Sequence, residues 1–286
     1  MPELAEVETV RLSLEKIMKG QKICDVTVDH DDKYFYAFAS ATSVEKALLG
    51  AKVVGTGRRG KYFWLKLNRK PWPIFHLGMT GNISILTGPK KSPGNIWGGV
   101  KLWSEKDKGE RERLWFARII LTLQNKVEIA LLDPRRFGRM WLSDDPEKHS
   151  RIAKLGPDPL IDFLSAKDLG SKLKKRGAPI KAVLLDQKLF AGIGNWLADE
   201  ILYQSRISPR RPAKSLTAKE ILLLHDKTIL VCKKAVAVKA DYELFPKTWI
   251  FKHRWGKSKT AKVGGQKIIH EEIGGRTTAW VPGLQK

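Results

Sequence analysis

The hydrophobic pattern of the chain changes from helical to strand-like after its first segment. Apolar residues recur at helical spacing as Val7, Val10, Leu14 and Ile17. Gly20 follows as a stop signal, so the pattern predicts an amphipathic helix over residues 3–19. The first residues of the chain should therefore lie at the N-terminus of this helix.

Short apolar and β-branched runs come next, separated by glycine and proline. These runs predict strands at 23–28, 52–56, 61–67, 82–86, 119–123 and 127–132. Several short strands with turn residues between them indicate a sandwich or barrel of antiparallel strands.

The second half of the chain is helical. The stretch 144–159 carries charges and prolines, and the hydrophobic pattern beyond it changes. Helices are predicted at 165–175, 182–187, 195–205 and 217–239. After Lys239 the periodicity fades, and the glycine-rich tail predicts a hairpin. We therefore predict an α+β protein with an antiparallel β-sandwich and flanking helices over 1–145, a helical domain over 146–240 and a hairpin region over 241–286.

Charge narrows the choice of partner. The 286 residues include 53 Lys and Arg against 30 Asp and Glu, which gives a formal net charge of +23 and a pI near 10.0. Such a balance favours a polyanion, and nucleic acid more than an anionic membrane surface. No apolar run reaches the roughly 18 residues that span a bilayer, and the acidic start of the chain is unlike a signal peptide. We expect a soluble intracellular monomer without a membrane partner.

Cysteine usage argues against a metal or disulfide framework. Cys24 and Cys232 are the only cysteines, and they lie far apart in the sequence. They can form neither a disulfide framework nor a paired Cys-x-x-Cys zinc site. We expect both to be buried apolar side chains in a reducing compartment.

The first candidate for chemistry is the segment Pro2-Glu3. A small second residue predicts removal of Met1, which would expose the secondary amine of Pro2. An α-amino group has a pKa of about 7.7 to 8.0, against about 10.4 for lysine, so more of it is a free nucleophile near neutral pH. Such an amine can attack a sugar C1′ and form an iminium ion, while Glu3 moves protons. The alternative is that proline and acids only begin a helix and complement its dipole.

Four further motifs could bind nucleic acid. Lys61 follows a basic turn, and Arg135 and Arg136 precede Phe137, an aromatic that could fill the space left by an extruded base. Asn195 follows two glycines at a helix start, and Arg276 follows two glycines in a hairpin, where each could face a phosphate. Each motif alone could be an ordinary turn; their number and order are informative.

Taken together, these motifs resemble the Fpg/Nei family of formamidopyrimidine-DNA glycosylases and endonuclease VIII. The resemblance runs from Pro2 to the tail and implies a bifunctional glycosylase and abasic-site lyase that acts on damaged double-stranded DNA. It also implies a helix-two-turns-helix domain and a β-hairpin finger. Where the family has a proline before the second acid, this chain has Ala5.

The resemblance also assigns roles to individual residues. Pro2 is implied as the nucleophile, Glu3 as the catalytic acid, Glu6 as a supporting acid and Lys61 as a hairpin lysine that contacts DNA and aids catalysis. Residues implied to contact DNA, fill the void or lie near the lesion are Met79, Arg135, Arg136, Phe137, Lys181, Asn195 and Arg276.

Two departures from the family bear on metal and substrate. Many relatives hold the finger with four zinc-binding cysteines, but the sequence from Tyr242 onward has none, and only His253 and His270 remain as candidate ligands. We therefore expect no metal and no cofactor, and the tail resembles the zincless finger of plant and fungal Fpg proteins. The segment between Lys239 and Trp249 is also short, whereas many bacterial relatives have a longer loop there that closes over flipped 8-oxoguanine. The resemblance therefore favours formamidopyrimidines and hydantoins over 8-oxoguanine as substrates.

Two other functions stay open. A non-catalytic sensor of DNA damage would keep the scaffold but is expected to alter Pro2, Glu3 or Lys61, and all three are present. A basic RNA-binding protein would explain the charge but not the void-filling residues. The preferred interpretation implies a nuclear location in a eukaryote and a nucleoid location in a bacterium.

Overall fold

The computed structural model describes residues 2–87, 92–95, 116–255 and 261–286, so Met1 lies outside the described residues. The chain divides into two compact units, 1–153 and 154–286. The predicted division after residue 145 falls inside the first unit. The first unit continues further because Ile152 packs with Trp64 and Trp141 in one buried cluster.

The first unit is a two-layer antiparallel sandwich with two helices. Its elements are α1 (Leu4–Met18), β1 (Ile23–Val28), α2 (Ala41–Leu48), β2 (Val53–Arg59), β3 (Tyr62–Leu67), β4 (Trp72–His76), β5 (Asn82–Thr87), β6 (Ser92–Asn95), β7 (Ala117–Leu123), β8 (Glu128–Leu132) and β9 (Arg139–Ser143). One sheet has the strand order β1-β7-β8-β5-β6 and the other has the order β2-β3-β4-β9. The predicted α+β class and antiparallel sandwich are confirmed.

Apolar side chains from α1 and both sheets meet in one core. They line a small cavity and are Leu14, Met18, Phe63, Leu65, Phe75, Ile83, Ile119, Leu121, Ile129 and Leu131. The helical spacing of Leu14 and Met18 is what turns one face of α1 towards this core. Burial of that face fixes the N-terminus of α1 against the sandwich.

Four elements of the first unit, namely α2, β4, β6 and β9, were not predicted from the sequence. The strand β4 contains Pro73, which cannot donate a ladder hydrogen bond and masks the strand pattern. The strand β9 is only five residues long. The helix α2 has only eight residues and is capped by Ser40, whose hydroxyl accepts a hydrogen bond from the Ser43 N–H at 3.2 Å.

The second unit is helical and ends in two hairpins. Its elements are α3 (Ala166–Leu173), α4 (Ile180–Leu184), α5 (Asn195–Ser205), α6 (Ala218–Ala237), β10 (Lys262–Val263), β11 (Gln266–Lys267), β12 (Ile269–Ile273) and β13 (Arg276–Trp280). The predicted bounds of α5 match the structure, whereas α4 begins two residues earlier than predicted. The tail forms two consecutive hairpins rather than one, each turning on a pair of glycines with positive φ.

The hairpins pack on α5 through an apolar cluster. Its buried members are Tyr203, Ile250, Val263, Ile268, Ala279 and Val281. A second group of rings adjoins it, in which Phe251 lies 5.0 Å from Trp196 and 4.8 Å from Phe245 between ring centroids. Aromatic packing of this kind supplies much of the burial that a small tail needs.

The two cysteines differ in environment. Cys232 is buried in α6, as predicted, but Cys24 is exposed on β1. The prediction for Cys24 was wrong because the burial pattern of β1 places Ile23 and Val26 inwards and leaves Cys24 and Asp25 on the outer face.

Gly57 should be the more sensitive of two glycines in β2. A Cβ atom on Gly57 would lie 2.3 Å from the ring of buried Trp64, whereas on Gly55 its nearest neighbour would be 3.7 Å away. We expect Gly57→Ala to lower the free energy of unfolding by about 2 kcal/mol through overpacking, and Gly55→Ala to cost much less. Urea unfolding of both variants measures this, and equal losses would contradict it.

Candidate active site and nucleic-acid interface

Two buried carboxylates lie directly after Pro2. Glu3 is 2% exposed and Glu6 is fully buried, and the Glu3 N–H donates a hydrogen bond to the Glu6 carboxylate at 2.9 Å. Both belong to a capping box at the N-terminus of α1, where the helix dipole favours negative charge. The structure therefore joins the two predicted acids at the start of α1, where Glu3 directly follows Pro2 in the chain.

An ion pair fixes the hairpin that carries Lys61 to α1. Arg58 Nε donates to the Glu8 carboxylate at 2.7 Å, and Arg58 Nη1 donates to the Gly60 carbonyl at 2.9 Å. Arg58 is 5% exposed, so the pair is largely shielded from water. Gly60 forms the turn of the β2–β3 hairpin with φ +58°, and Lys61 follows it. The guanidinium thus joins the α1 helix to the turn before Lys61.

Glu8 acts as a fixed charge in this arrangement. Burial would raise the pKa of Glu8, but hydrogen bonds and charges from Arg11 and Arg58 outweigh burial and lower it. Arg11 donates to Glu8 at 2.7 Å and to Thr56 at 3.2 Å, which ties α1 to β2 a second time. A carboxylate held in this way stays ionised at neutral pH and is unsuited to carry protons.

His76 is a neutral group beside Lys61 that the sequence prediction missed. Burial, together with the positive charges of Lys61, Arg151 and Arg139, lowers its pKa to about 4. Its Nδ1 accepts a hydrogen bond from the Gly78 N–H at 3.1 Å, so the neutral ring carries its proton on Nε2. The centroid of its ring lies 4.8 Å from that of Tyr62. In the chain, His76 precedes the turn that exposes Met79.

Asp133 joins the turn of Met79 to the turn of Phe137. The Thr80 hydroxyl donates to one Asp133 oxygen at 2.7 Å, and the Gly138 N–H donates to the other at 2.5 Å. Gly78 has φ +63°, and a Cβ there would lie 2.4 Å from the Phe137 carbonyl carbon. This close approach requires glycine and holds the two turns against each other.

The paired turns expose the predicted void-filling residues. Met79 is 38% exposed and Phe137 is 43% exposed, although both are large apolar side chains. The Arg135 guanidinium stacks over the Phe137 ring at 4.8 Å. Arg136 is exposed beside them with φ +54°. The structure therefore brings these four residues together on one surface of the first unit.

In the second unit, Lys181 and Asn195 occupy different environments. Lys181 is fully buried, forms an ion pair with Asp199 and donates to the Asn195 carbonyl at 2.8 Å. Asn195 is the first residue of α5, and its Nδ2 donates to the Thr277 carbonyl at 2.8 Å. Lys181 thus supports Asn195 from inside the unit, and its role near the lesion, which the resemblance implies, stays a prediction.

Arg276 lies at the exposed tip of the β12–β13 hairpin. The turn is formed by Gly274 with φ +61° and Gly275 with φ +72°. A Cβ on Gly274 would lie 2.7 Å from the Ala182 Cβ, so the tip rests directly on α4. This contact fixes the tip, while the Arg276 side chain stays in solvent.

The histidines of the tail are engaged in main-chain hydrogen bonds. His253 Nε2 lies 2.8 Å from the Lys247 carbonyl, and His270 Nε2 lies 3.0 Å from the Arg254 carbonyl. Within residues 2–87, 92–95, 116–255 and 261–286, no group of three or more His, Cys, Asp or Glu side chains could hold a metal ion. In the same residues no helix is long and apolar enough to cross a membrane.

The sequence analysis missed two acids that hold segments of the candidate site in place. Asp133 and Asp199 were not predicted, because each binds a group far away in the chain: Thr80 is 53 residues from Asp133, and Arg254 is 55 residues from Asp199. For Asp199 one signal was available, since Asp199 and Glu200 interrupt an apolar stretch of α5 that includes Leu197 and Ile201. Charges on an apolar helix face are rarely buried unless they are paired.

Comparison with known proteins gives consistent matches along the chain. Residues 1–140 match the family model of the formamidopyrimidine-DNA glycosylase N-terminal domain, and residues 155–244 match that of the formamidopyrimidine-DNA glycosylase H2TH domain. The chain is 38% identical over 290 residues to a formamidopyrimidine-DNA glycosylase of Arabidopsis thaliana, covering 100% of this chain and 71% of the relative. A Zymomonas mobilis formamidopyrimidine-DNA glycosylase is 33% identical over 297 residues, with 100% of both chains covered.

Solved structures agree with the sequence relatives. The complex of Lactococcus lactis Fpg with abasic-site DNA has a TM-score of 0.77 at 27% identity and covers 99% of each chain. The complex of Lactococcus lactis Fpg with FAPY-dG DNA has a TM-score of 0.76 at 27% identity, covering 99% of this chain and 100% of that one. The sandwich, the helical unit and the hairpins define the class of the protein, a DNA glycosylase of DNA repair. The chain belongs to the Fpg/Nei family of formamidopyrimidine-DNA glycosylases.

A buried acid in α5 makes the stability of the protein depend on pH. Glu200 is fully buried, and its carboxyl group accepts hydrogen bonds from Gln204 at 2.8 Å and from the Phe251 N–H at 3.0 Å. Burial raises the pKa of Glu200 to about 7. Because the folded acid keeps its proton to higher pH than the unfolded one, stability falls as pH rises from about 4.5 to about 7.

Glu200→Gln should remove this loss. We expect the variant to exceed the wild type in free energy of unfolding by about 2 to 3 kcal/mol at pH 8, with a smaller difference at pH 5. Urea unfolding at both pH values measures the effect. Glu272→Gln, which makes the same charge change at an exposed position of β12, serves as the control. A constant difference between pH 5 and pH 8 would show that Glu200 does not titrate in this range.

Proposed function

We propose that the protein is a bifunctional glycosylase and abasic-site lyase that uses the amine of Pro2 as its nucleophile. The observation that carries this proposal is the buried acid pair Glu3 and Glu6 directly after Pro2. Removal of Met1 would free the Pro2 amine at the start of α1. The Glu8–Arg58 ion pair holds the Lys61 turn to the same helix.

The chemistry follows from these groups. The Pro2 nitrogen forms a bond to the sugar C1′, the glycosidic bond breaks, and the base leaves with a proton supplied through Glu3. Ring opening gives an iminium ion between Pro2 and C1′. Loss of a C2′ proton then permits β-elimination of the 3′ phosphate, and δ-elimination releases the 5′ phosphate. Water finally releases the sugar fragment from Pro2.

Damaged double-stranded DNA is the proposed partner. The solved Lactococcus lactis Fpg structures contain abasic-site and FAPY-dG DNA, which supports this choice. Met79, Arg135 and Phe137 would fill the gap that the flipped nucleotide leaves, with Arg136 beside them. Lys61, Asn195 and Arg276 would contact phosphates, and Lys181 would support Asn195. The site of action would be the nucleus or nucleoid, where genomic DNA lies.

The tail is proposed to be a zincless finger that works without a cofactor. The apolar cluster around Tyr203 and Ile250 supports this proposal, because its burial can stabilise the hairpins in place of a bound metal. The two hairpins and their glycine turns would then present Arg276 without a bound ion.

Formamidopyrimidines and hydantoins are the proposed substrates. The chain from the end of α6 to Trp249 is short, and Ala240, Phe245 and Trp249 within it are buried. Since this segment packs into the second unit, it is poorly suited to close over a flipped 8-oxoguanine. A site that depends less on closure would favour lesions that are already distorted and unstack at lower cost.

Trapping of the covalent intermediate tests the nucleophile. Borohydride should link the Met1-processed protein to abasic DNA at Pro2, because it reduces an iminium ion to a stable amine. A variant with residues added before Pro2 should lose more than 100-fold in trapped product, since its proline nitrogen is an amide. The blocked variant should still bind abasic DNA in a gel shift. Equal trapping by the blocked variant would identify another nucleophile.

A cleavage panel tests the substrate proposal. Single-turnover rates should be at least tenfold higher for formamidopyrimidine and hydantoin duplexes than for an 8-oxoguanine duplex, because the short segment cannot close over the base. An abasic duplex of the same sequence gives the lyase rate for comparison. If 8-oxoguanine is excised as fast as the hydantoins, the substrate assignment is wrong while the lyase mechanism stands.

A further inference from the structure

Asp199 lies at the centre of a buried polar network in the second unit. Its carboxylate is fully buried and pairs with Lys181 of α4. Arg254 also donates to it, with Nη2 at 2.6 Å and Nε at 3.2 Å. The Ala279 N–H of β13 donates to the same carboxylate at 3.1 Å. One side chain of α5 therefore binds α4, the segment after α6 and the last hairpin.

The same network reaches both proposed phosphate anchors. Lys181 holds the Asn195 carbonyl at 2.8 Å, and Asn195 Nδ2 holds the Thr277 carbonyl at 2.8 Å. Thr277 follows Arg276 in β13, and Ala279 lies two residues further on. Asp199 thus constrains the start of α5 through Lys181 and the strand of Arg276 through Ala279.

The buried cations around Asp199 explain why its carboxylate is needed. Lys181 is fully buried and the Arg254 side chain is 8% exposed, so both cations depend on an internal anion. The neighbouring acid Glu200 has a raised pKa because of burial and is a weaker counter-charge at neutral pH. A neutral residue at position 199 would remove the negative charge that both of these cations contact.

We propose that Asp199 is a positioning residue that sets the spacing between Asn195 and Arg276, so that both reach the DNA backbone together. This inference rests on the proposed phosphate contacts of those two residues. Asp199 itself is buried and touches no DNA in this scheme. Its loss should weaken binding by releasing the Arg276 strand, while the chemistry of Pro2 in the first unit continues on bound DNA.

The test measures the dissociation constant of an abasic-analogue duplex across a range of salt concentrations. Asp199→Asn should raise the dissociation constant at least tenfold. It should also reduce the magnitude of the slope of log Kd against log salt concentration by about one, because one phosphate contact is lost. Arg276→Ala should lower the slope by the same amount. The double variant should show no further fall in slope, since both changes remove one contact.

Control experiments distinguish a positioning role of Asp199 from a simple effect of its charge and from a loss of folding. Asp226→Asn makes the same charge change at an exposed position of α6 and should leave the slope unchanged. Borohydride trapping of Asp199→Asn at saturating DNA should proceed at nearly the wild-type rate. If Asp199→Asn does not fold, Arg254→Lys keeps the charge but loses the two-nitrogen contact with Asp199, and it should give a smaller loss in affinity in the same direction.

The outcomes distinguish the inference from the function on which it rests. If Arg276→Ala leaves the salt slope unchanged, the proposed phosphate contact is wrong. If Arg276→Ala lowers the slope but Asp199→Asn does not, or if their effects add in full, the positioning role of Asp199 is overturned. If Asp199→Asn does not fold, an affinity of Arg254→Lys equal to that of the wild type overturns the positioning role as well.

Discussion

The ion pair between Glu8 and Arg58 is the interaction on which the candidate active site depends. Arg58 spans from the α1 helix to the Gly60 carbonyl, so one guanidinium fixes the helix that carries Pro2 to the turn that carries Lys61. Low exposure of Arg58 strengthens this contact, because little water competes for the hydrogen bonds of its guanidinium. The sandwich core contributes by burying the apolar face of α1 and so holding Glu8 in position.

Buried acids also hold other segments of this protein together. Asp133 fixes the turns of Met79 and Phe137, and Asp199 fixes the start of α5 to the last hairpin. Buried carboxylates suit this task because one side chain accepts hydrogen bonds from several chain segments at once. They also leave the protein surface more basic than the net charge of +23 indicates, since several of its 30 acids are inside. The positive charge of such a surface is suited to binding the phosphates of a polyanionic substrate.

In the second unit, several elements together fix the short β12–β13 hairpin, which turns on Gly274 and Gly275. Gly274 rests on Ala182, the apolar cluster around Ile250 fills the space below, and Asn195 holds the Thr277 carbonyl. These contacts come from α4, α5 and the segment after α6. The position of Arg276 is therefore set by the whole unit and not by the hairpin turn alone.

Sequence alone determined the elements whose signal is local. The spacing of Val7, Val10 and Leu14 predicted α1, the bounds of α5 were predicted correctly, and the order of short motifs indicated the family. Only the tertiary structure decided the burial of Lys181, the exposure of Cys24 and the roles of Asp133 and Asp199. The physical reason is that periodicity reports which face of an element is buried, whereas a buried charge is explained by its partners. Arg58 and Glu8 are 50 residues apart, and Asp199 and Ala279 are 80 apart, so only folding brings such groups together.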